Sequence, residues 1–283
     1  MPALPGPAPC RNLAATTCSC CASRQRPRMP LPPLSGTFMP SHIATRFSAA
    51  AGRYEQAANI QKEAASQFDA WLAQLGLAAP ASIVEIGCGT GFFTRLLHAR
   101  YPGASLRATD LAPAMVAQCQ AGFAPAPGLQ FSVCDGREAS FDPAPDWIVS
   151  TMCFQWFDPL PPVLARHFAG SRVLAFSVLL DGSFAQWRAA HERLHLPAGL
   201  HPCPDYDALL ASIQDLHPGR LHARKISLTE QHANGRSFAH SLRAIGADQP
   251  RPGHRPAALR PVLRQLEQGI AANYEIGFFC LEK

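Results

Sequence analysis

No apolar run in this 283-residue sequence reaches the 18 or more residues that a bilayer-crossing helix needs, so a membrane span is excluded. There is no secretory apolar segment at the start. No Gly-Lys-Ser/Thr follows a glycine run, which excludes phosphate-loop chemistry, and no Gly-x-Ser-x-Gly elbow suggests a hydrolase. Paired zinc spacing is missing as well. Of the ten cysteines, Cys88, Cys119, Cys134, Cys153, Cys203 and Cys280 are scattered through the body, mostly in apolar surroundings. The tail group Cys18-Ser-Cys20-Cys21 has no histidine before His42 to join it. The expectation is reduced thiols, no metal, and a cytoplasmic protein.

Acidic residues are absent from residues 1–38, which hold Arg11, Arg24, Arg26 and Arg28 and so carry four of the five excess charges. The remainder has 21 bases against 20 acids, so a general nucleic-acid footprint is lacking. That opening segment is rich in Pro, Ala and Arg, shows no sustained period, and cannot bury enough apolar area to offset its ordering entropy. It is expected to be a disordered tail, with the folded domain spanning 39–283. Its eight prolines argue against an amphipathic targeting helix.

Helical spacing of three, four and seven runs from Ile43 to Leu75, through Phe47, Tyr54, Ala58, Gln61, Ala65, Phe68 and Leu72. Strand-like runs follow at Ser82–Ile86, Ser105–Thr109, Leu129–Cys134, Trp147–Met152 and Arg172–Leu180. Helical stretches lie between the first three, at Phe92–Tyr101 and Pro113–Gly122, and Pro161 and Pro162 open another. Such alternation predicts an α/β fold with a parallel sheet. Later helices are expected near Phe184–Leu194, Tyr206–Leu216, Ser237–Ile245 and Ala257–Ile270, with strands near Lys225–Gln231 and Tyr274–Leu281. The helical insertion would then occupy about 182–224 and 235–272.

Chemistry concentrates where the first strand ends, at Glu85-Ile86-Gly87-Cys88-Gly89-Thr90-Gly91. Glycines there let a backbone approach a ligand, and open α/β sheets bind ligands at the carboxyl ends of their strands. A dinucleotide motif would place its third glycine where Phe92 stands; here it comes one residue early, at Gly91. Asp110 ends the second strand, placed to accept two ribose hydroxyls. Asp135 ends the third beside Gly136, where it would meet an adenine amino group, and Glu85 would face a methionyl ammonium. A strand-end acid can also simply cap the next helix; three such acids beside one glycine turn favour a ligand.

This constellation resembles the class I methyltransferases, which have a Rossmann-like, seven-stranded, mostly parallel sheet and use S-adenosyl-L-methionine. The expected cofactor-binding set is Glu85, Gly87, Cys88, Gly89, Asp110, Leu111, Met115, Asp135, Gly136 and Cys153. Further segments narrow the match: Arg46-Phe47-Ser48 through Tyr54-Glu55 with Asn59-Ile60-Gln61, Phe154-Gln155-Trp156 with Asp158-Pro159-Leu160, Asp181-Gly182-Ser183-Phe184, and Leu242-Arg243-Ala244-Ile245-Gly246-Ala247. They resemble the malonyl-[acyl-carrier protein] O-methyltransferases of biotin synthesis. The resemblance implies methylation of the free carboxylate of a malonyl thioester, on acyl carrier protein or on CoA, giving a neutral ester that can be elongated as a disguised primer. A carboxylate is already anionic near neutral pH, so its methylation needs positioning and water exclusion more than a base. By the same resemblance Tyr54 belongs to an amino-terminal helical lid, though a helix-face tyrosine can equally be core. Trp156 and Phe184 would wall the acceptor pocket or pack in the core. Arg243 would hold the malonyl carboxylate bidentately, or stand as a solvated charge. The family's usual residues are replaced at Ala112 (Ser) and at Met152-Cys153 (Asn-X).

Between Pro218 and Arg264, nine bases face two acids, a local patch suited to an acidic carrier protein. The expected enzyme is a monomer that binds neither nucleic acid nor membrane. Competing readings are a methyltransferase for another small acid or a ring substrate, which would not need the Leu242–Ala247 element, and a non-catalytic binding partner of the same fold, which would not need the complete acid and glycine set.

Overall fold

Strand and helix alternate through the first half of the chain, as the apolar runs require. In a computed structural model the described residues are 40–248 and 259–283. The tail at 1–38, together with Arg251 and Arg255 of the basic patch, lies outside them. Two helices come first, α1 (Pro40–Ala57) and α2 (Asn59–Gln74). Then β1 (Ser82–Ile86), α3 (Phe92–Arg100), β2 (Ser105–Asp110), α4 (Pro113–Ala121), β3 (Leu129–Val133) and β4 (Trp147–Thr151) follow. A short 3-10 turn, Phe154–Trp156, leads into α5 (Leu160–Ala169) and β5 (Val173–Leu179). The later part holds α6 (Ala185–Glu192), α7 (Tyr206–Gln214), β6 (Arg220–His232), α8 (Gly235–Ala244), α9 (Leu259–Gln265) and β7 (Ile270–Glu282).

Among the described residues one seven-stranded sheet runs in the order β3-β2-β1-β4-β5-β7-β6. Its first five strands are parallel, and β7 lies antiparallel between β5 and β6. The chain turns left from β1 to β2 and right from β4 to β5, so the topological switch point falls between the carboxyl ends of β1 and β4. Ligands of open α/β sheets bind there.

Period-two alternation sends neighbouring residues of β1 to opposite faces. Ile83 joins Phe68, Phe93, Trp147 and Phe278 under α2 and α3, while Val84 and Ile86 join Ile148, Phe154, Leu164 and Phe176 on the other face. Phe68 is the hub of the first cluster, with ring centroids 5.1 Å from Phe278 and 5.5 Å from Phe93.

Three expectations are corrected. The continuous helix of Ile43–Leu75 is two helices, broken at Ala58, whose ψ is 47°. The break lets α1 pack on α4 and α8 while α2 packs on α3 and the sheet. Strands β6 and β7 are longer than expected, pairing from Arg220↔Glu282 to His232↔Ile270. The insertion therefore stops at 219 and 269, not at 224 and 272. Alternating charged and small apolar residues on an edge strand hid the start of β6, because only one face is covered. Finally, α9 ends at Gln265, well before Ile270, because β7 takes over the chain there.

Candidate active site

The glycine turn after β1 is built by backbone bonds to β2: the amides of Gly87 and Cys88 both donate to the Thr109 carbonyl, at 2.8 and 2.9 Å. Gly89 has φ +53°, and a Cβ there would meet nothing nearer than a Tyr54 ring carbon at 4.0 Å. It therefore leaves an open cradle, one a glycine backbone can form at no steric cost. Gly87 is confined for a different reason, since a Cβ would lie 2.4 Å from Cys153 Sγ.

A cleft of about 770 Å³, counting the solvent at its mouth, opens at this switch point. Gly87, Gly89, Asp110, Leu111, Met115, Asp135, Gly136 and Cys153 line it, with Tyr54 and Phe47 from α1 and Trp156 from the 3-10 turn. Asp110 is held by two backbone donors, Gly89 N–H to Oδ2 at 2.9 Å and Ala112 N–H to Oδ1 at 2.8 Å. Burial raises its pKa, and the backbone N–H groups partly offset that. A carboxylate offers about four acceptor sites, so both oxygens keep capacity for a pair of hydroxyls.

Asp135 is clipped by Arg137, whose Nη2 and Nε donate to it at 2.6 and 3.1 Å and whose amide donates at 3.0 Å. Burial pushes this carboxyl up, but the Arg137 bonds outweigh it and hold the pKa low. The loop is pinned from behind by α5. His167 Nε2 lies 2.7 Å from the Gly136 carbonyl, and Arg166 donates to the Arg137 carbonyl. A carbonyl only accepts, so the His167 proton sits on Nε2; burial lowers this ring's pKa to about 4 and keeps it neutral.

Two expected cofactor contacts point elsewhere. Glu85 is fully buried on the α3 face of β1, shares that face with Ile83, and does not line the cavity. Its Oε2 accepts from Thr94 Oγ1 at 2.6 Å, its Oε1 has no partner, and burial raises its pKa to about 8. Strand alternation decides this, because Glu85 and Ile86 cannot share a face. The Cys88 side chain packs with Ala108, Cys119, Phe123 and Phe131, so that residue can offer the cavity only its backbone.

A second cleft of about 1900 Å³, counting the solvent at its mouth, shares Phe47, Tyr54, Met152 and Trp156 with the first. Phe184 and Arg243 line it, with Trp187, Leu242 and Tyr274. Phe184 also packs edge-on to Tyr274 at 4.8 Å, so it is wall and core together. Trp156 stands between the cavities, held edge-on by Phe47 at 5.7 Å. Sequence reasoning missed Arg137, His167, Arg46 and Phe47 as site residues. The i, i+2 spacing of Asp135 and Arg137 was a readable signal; His167, 31 residues from its partner, left none.

The residues fit an adenosyl cofactor on three counts: an open glycine cradle, a carboxylate with spare acceptor capacity at a strand end, and apolar Leu111 and Met115 between the two acids. Among the described residues no group of three or more His, Cys, Asp or Glu could hold a metal, and no helix is long and apolar enough to cross a membrane.

Known proteins share this fold and much of this sequence. A family profile described as a methyltransferase domain matches residues 83–173. The solved YcgJ protein from Bacillus subtilis superposes with a TM-score of 0.52 at 14% identity, over 77% of this chain and 98% of its own, a likeness of fold. The biotin biosynthesis bifunctional protein BioCD of Bordetella avium is 38% identical over 85% of this chain, and the match spans about half of that longer protein, 52%. A malonyl-[acyl-carrier protein] O-methyltransferase of Magnetococcus marinus is 31% identical over 80% of this chain and 87% of its own length. On that breadth of identity, the chain belongs to the malonyl-[acyl-carrier protein] O-methyltransferase family.

Proposed function

We propose that this enzyme methylates the free carboxylate of a malonyl thioester carried on acyl carrier protein, in biotin synthesis, with S-adenosyl-L-methionine as the donor. The observation that carries the reading is the pair of cavities meeting at one wall of Phe47, Tyr54, Met152 and Trp156, with carboxylates anchoring the first and arginines lining the second. The cofactor, when bound, supplies a methyl group on a positively charged sulfur.

Asp110 receives the two ribose hydroxyls, pre-oriented by the Gly89 and Ala112 amides. Asp135 meets the adenine amino group with whatever acceptor capacity Arg137 leaves it. Tyr54 and Trp156 exclude water at the junction, where an in-line displacement depends on alignment. Arg243 draws the acceptor carboxylate toward that junction. No side chain has to remove a proton, since the acceptor oxygen is already anionic. Methylation also cancels the charge that attracted the substrate.

The carrier protein is proposed to approach across α8 and α9. A polar groove there is lined by the exposed Arg236, Arg260 and Arg264 with Glu267, and Leu259 on the same helix α9 lines the acceptor cleft. A positive face at the cleft edge would steer an acidic partner. The chain is read as acting as a monomer. The test offers purified protein the cofactor with malonyl-carrier protein, malonyl-CoA and free malonate. A methyl ester is expected from the thioesters; none from either, despite tight cofactor binding, would refute the acceptor.

A further inference from the structure

Arg46 lies on α1 and Arg243 on α8, yet one carboxylate joins them. Asp248 Oδ1 accepts from Arg46 Nη1 at 2.7 Å, and its Oδ2 accepts from Arg243 Nε at 3.2 Å. All three line the acceptor cleft. The bridge is held in register by backbone packing: Gly246, at φ +75°, brings its turn so close to α1 that a Cβ would lie 3.0 Å from the Arg46 carbonyl oxygen. Any other residue there would crowd the α1 backbone at Arg46 and Phe47 and be strained at this φ.

The trio carries one net positive charge, and its hydrogen bonding is far from spent. Each guanidinium has five N–H donors, and each gives one of them to Asp248. The Arg46 and Arg243 side chains keep 46% and 69% of their exposure, while Asp248 keeps 16%. The carboxylate is thus tucked behind two guanidinium groups that face the cleft with donors to spare. Two arginines left alone would repel each other; one half-buried carboxylate lets them stand together.

We infer that Arg46 is a second acceptor-binding residue, forming with Arg243 a two-arginine site for the malonyl carboxylate, and that Asp248 is the positioning residue that holds the pair. This rests on the acceptor reading above. It also explains how the site tells substrate from product, because the methyl ester is neutral and has no anion to offer the pair.

The test is steady-state kinetics of Arg46→Ala, Arg46→Lys and Asp248→Asn, using malonyl-carrier protein and malonyl-N-acetylcysteamine, which carries no phosphate. Methyl-ester formation by the unaltered enzyme tests the acceptor reading; the variants' ratios to it test the pair. Arg46→Ala should raise KM roughly tenfold or more for both substrates, as loss of a charge-assisted bond requires. Its kcat, its affinity for S-adenosylhomocysteine and its inhibition by the methyl-ester product should stay within about twofold. Arg46→Lys should recover part of the loss, and Asp248→Asn should raise KM in the same sense. An unchanged KM in Arg46→Ala overturns the inference. So does a rise confined to the carrier protein, which would mean that Arg46 reads the phosphate or the protein. Parallel losses of product and S-adenosylhomocysteine binding would make Arg46 merely structural. A KM below the unaltered value in Asp248→Asn would make Asp248 a competitor of the substrate and overturn its positioning role.

Discussion

Replacing Glu85 with glutamine should abolish a fall in stability that the unaltered enzyme shows between about pH 6.5 and 8. The carboxyl is held near 8 in the folded chain, against an ordinary 4.5, chiefly by burial. Between those values the folded state keeps a proton that the unfolded chain has released, so stability declines as pH rises, by about 1.4 kcal/mol per pH unit. His167 works in the opposite sense. Its ring is held near 4 by burial against an ordinary 6.5, so stability rises with pH across that interval. The two slopes offset each other below 6.5, and from there to 8 the Glu85 slope stands without the opposing His167 one, worth about 2 kcal/mol. Above that range the buried thiols of Cys203 and Cys280, both pushed up to about 12, add a further decline. Glutamine keeps the shape of the protonated acid and an acceptor for Thr94, so the variant should match the unaltered protein within about 1 kcal/mol below about pH 4.5, where Glu85 is neutral in both states, and exceed it by about 3 kcal/mol at pH 6.5. Urea unfolding at pH 6.5, 7.25 and 8 measures the slope. The same decline in both proteins, or a rise in the unaltered one, would refute the account of Glu85.

Asp110→Ala should weaken S-adenosylhomocysteine binding by about 3 kcal/mol, near a hundredfold, through two lost charge-assisted bonds; calorimetry showing unchanged affinity would remove Asp110 from the ribose role. Met152 sits at φ +49°, in the left-handed region that asparagine tolerates better than most other side chains. Met152→Asn should therefore be tolerated, whereas Met152→Val should cost about 2 kcal/mol more in thermal or urea unfolding; equal stability of the two would argue against backbone strain. Reversing Arg260 and Arg264 to glutamate should raise KM about tenfold for malonyl-carrier protein at low salt and leave malonyl-CoA nearly unaffected. Equal losses on both substrates would count against steering by this face.

Much of this was readable from residue order, for physical reasons. Strands β1, β4 and β5 are covered on both faces and so appear as short, mainly apolar runs, and Asp110 and Gly89 stand beside the strand ends where open α/β sheets bind ligands. Strand β6 was harder, because an edge strand with one covered face reads as mixed polar sequence. Glu85 was misplaced by attending to its neighbours in the glycine motif instead of to the alternation of its own strand. The break at Ala58 had no local signal, since alanine continues a helix readily; it is set by what α1 and α2 each pack against. The Arg46–Asp248 bond joins residues 202 positions apart and could be found only in three dimensions.

The wall that the two cavities hold in common carries a kinetic consequence. Phe47 and Tyr54 ride on the same helix and border both spaces, so whatever fixes α1 against the donor also finishes the room in which the acceptor will sit. Turnover is then expected to follow a compulsory order, donor entering first and its demethylated form leaving last. In product-inhibition plots S-adenosylhomocysteine should compete with the donor and not with the malonyl thioester.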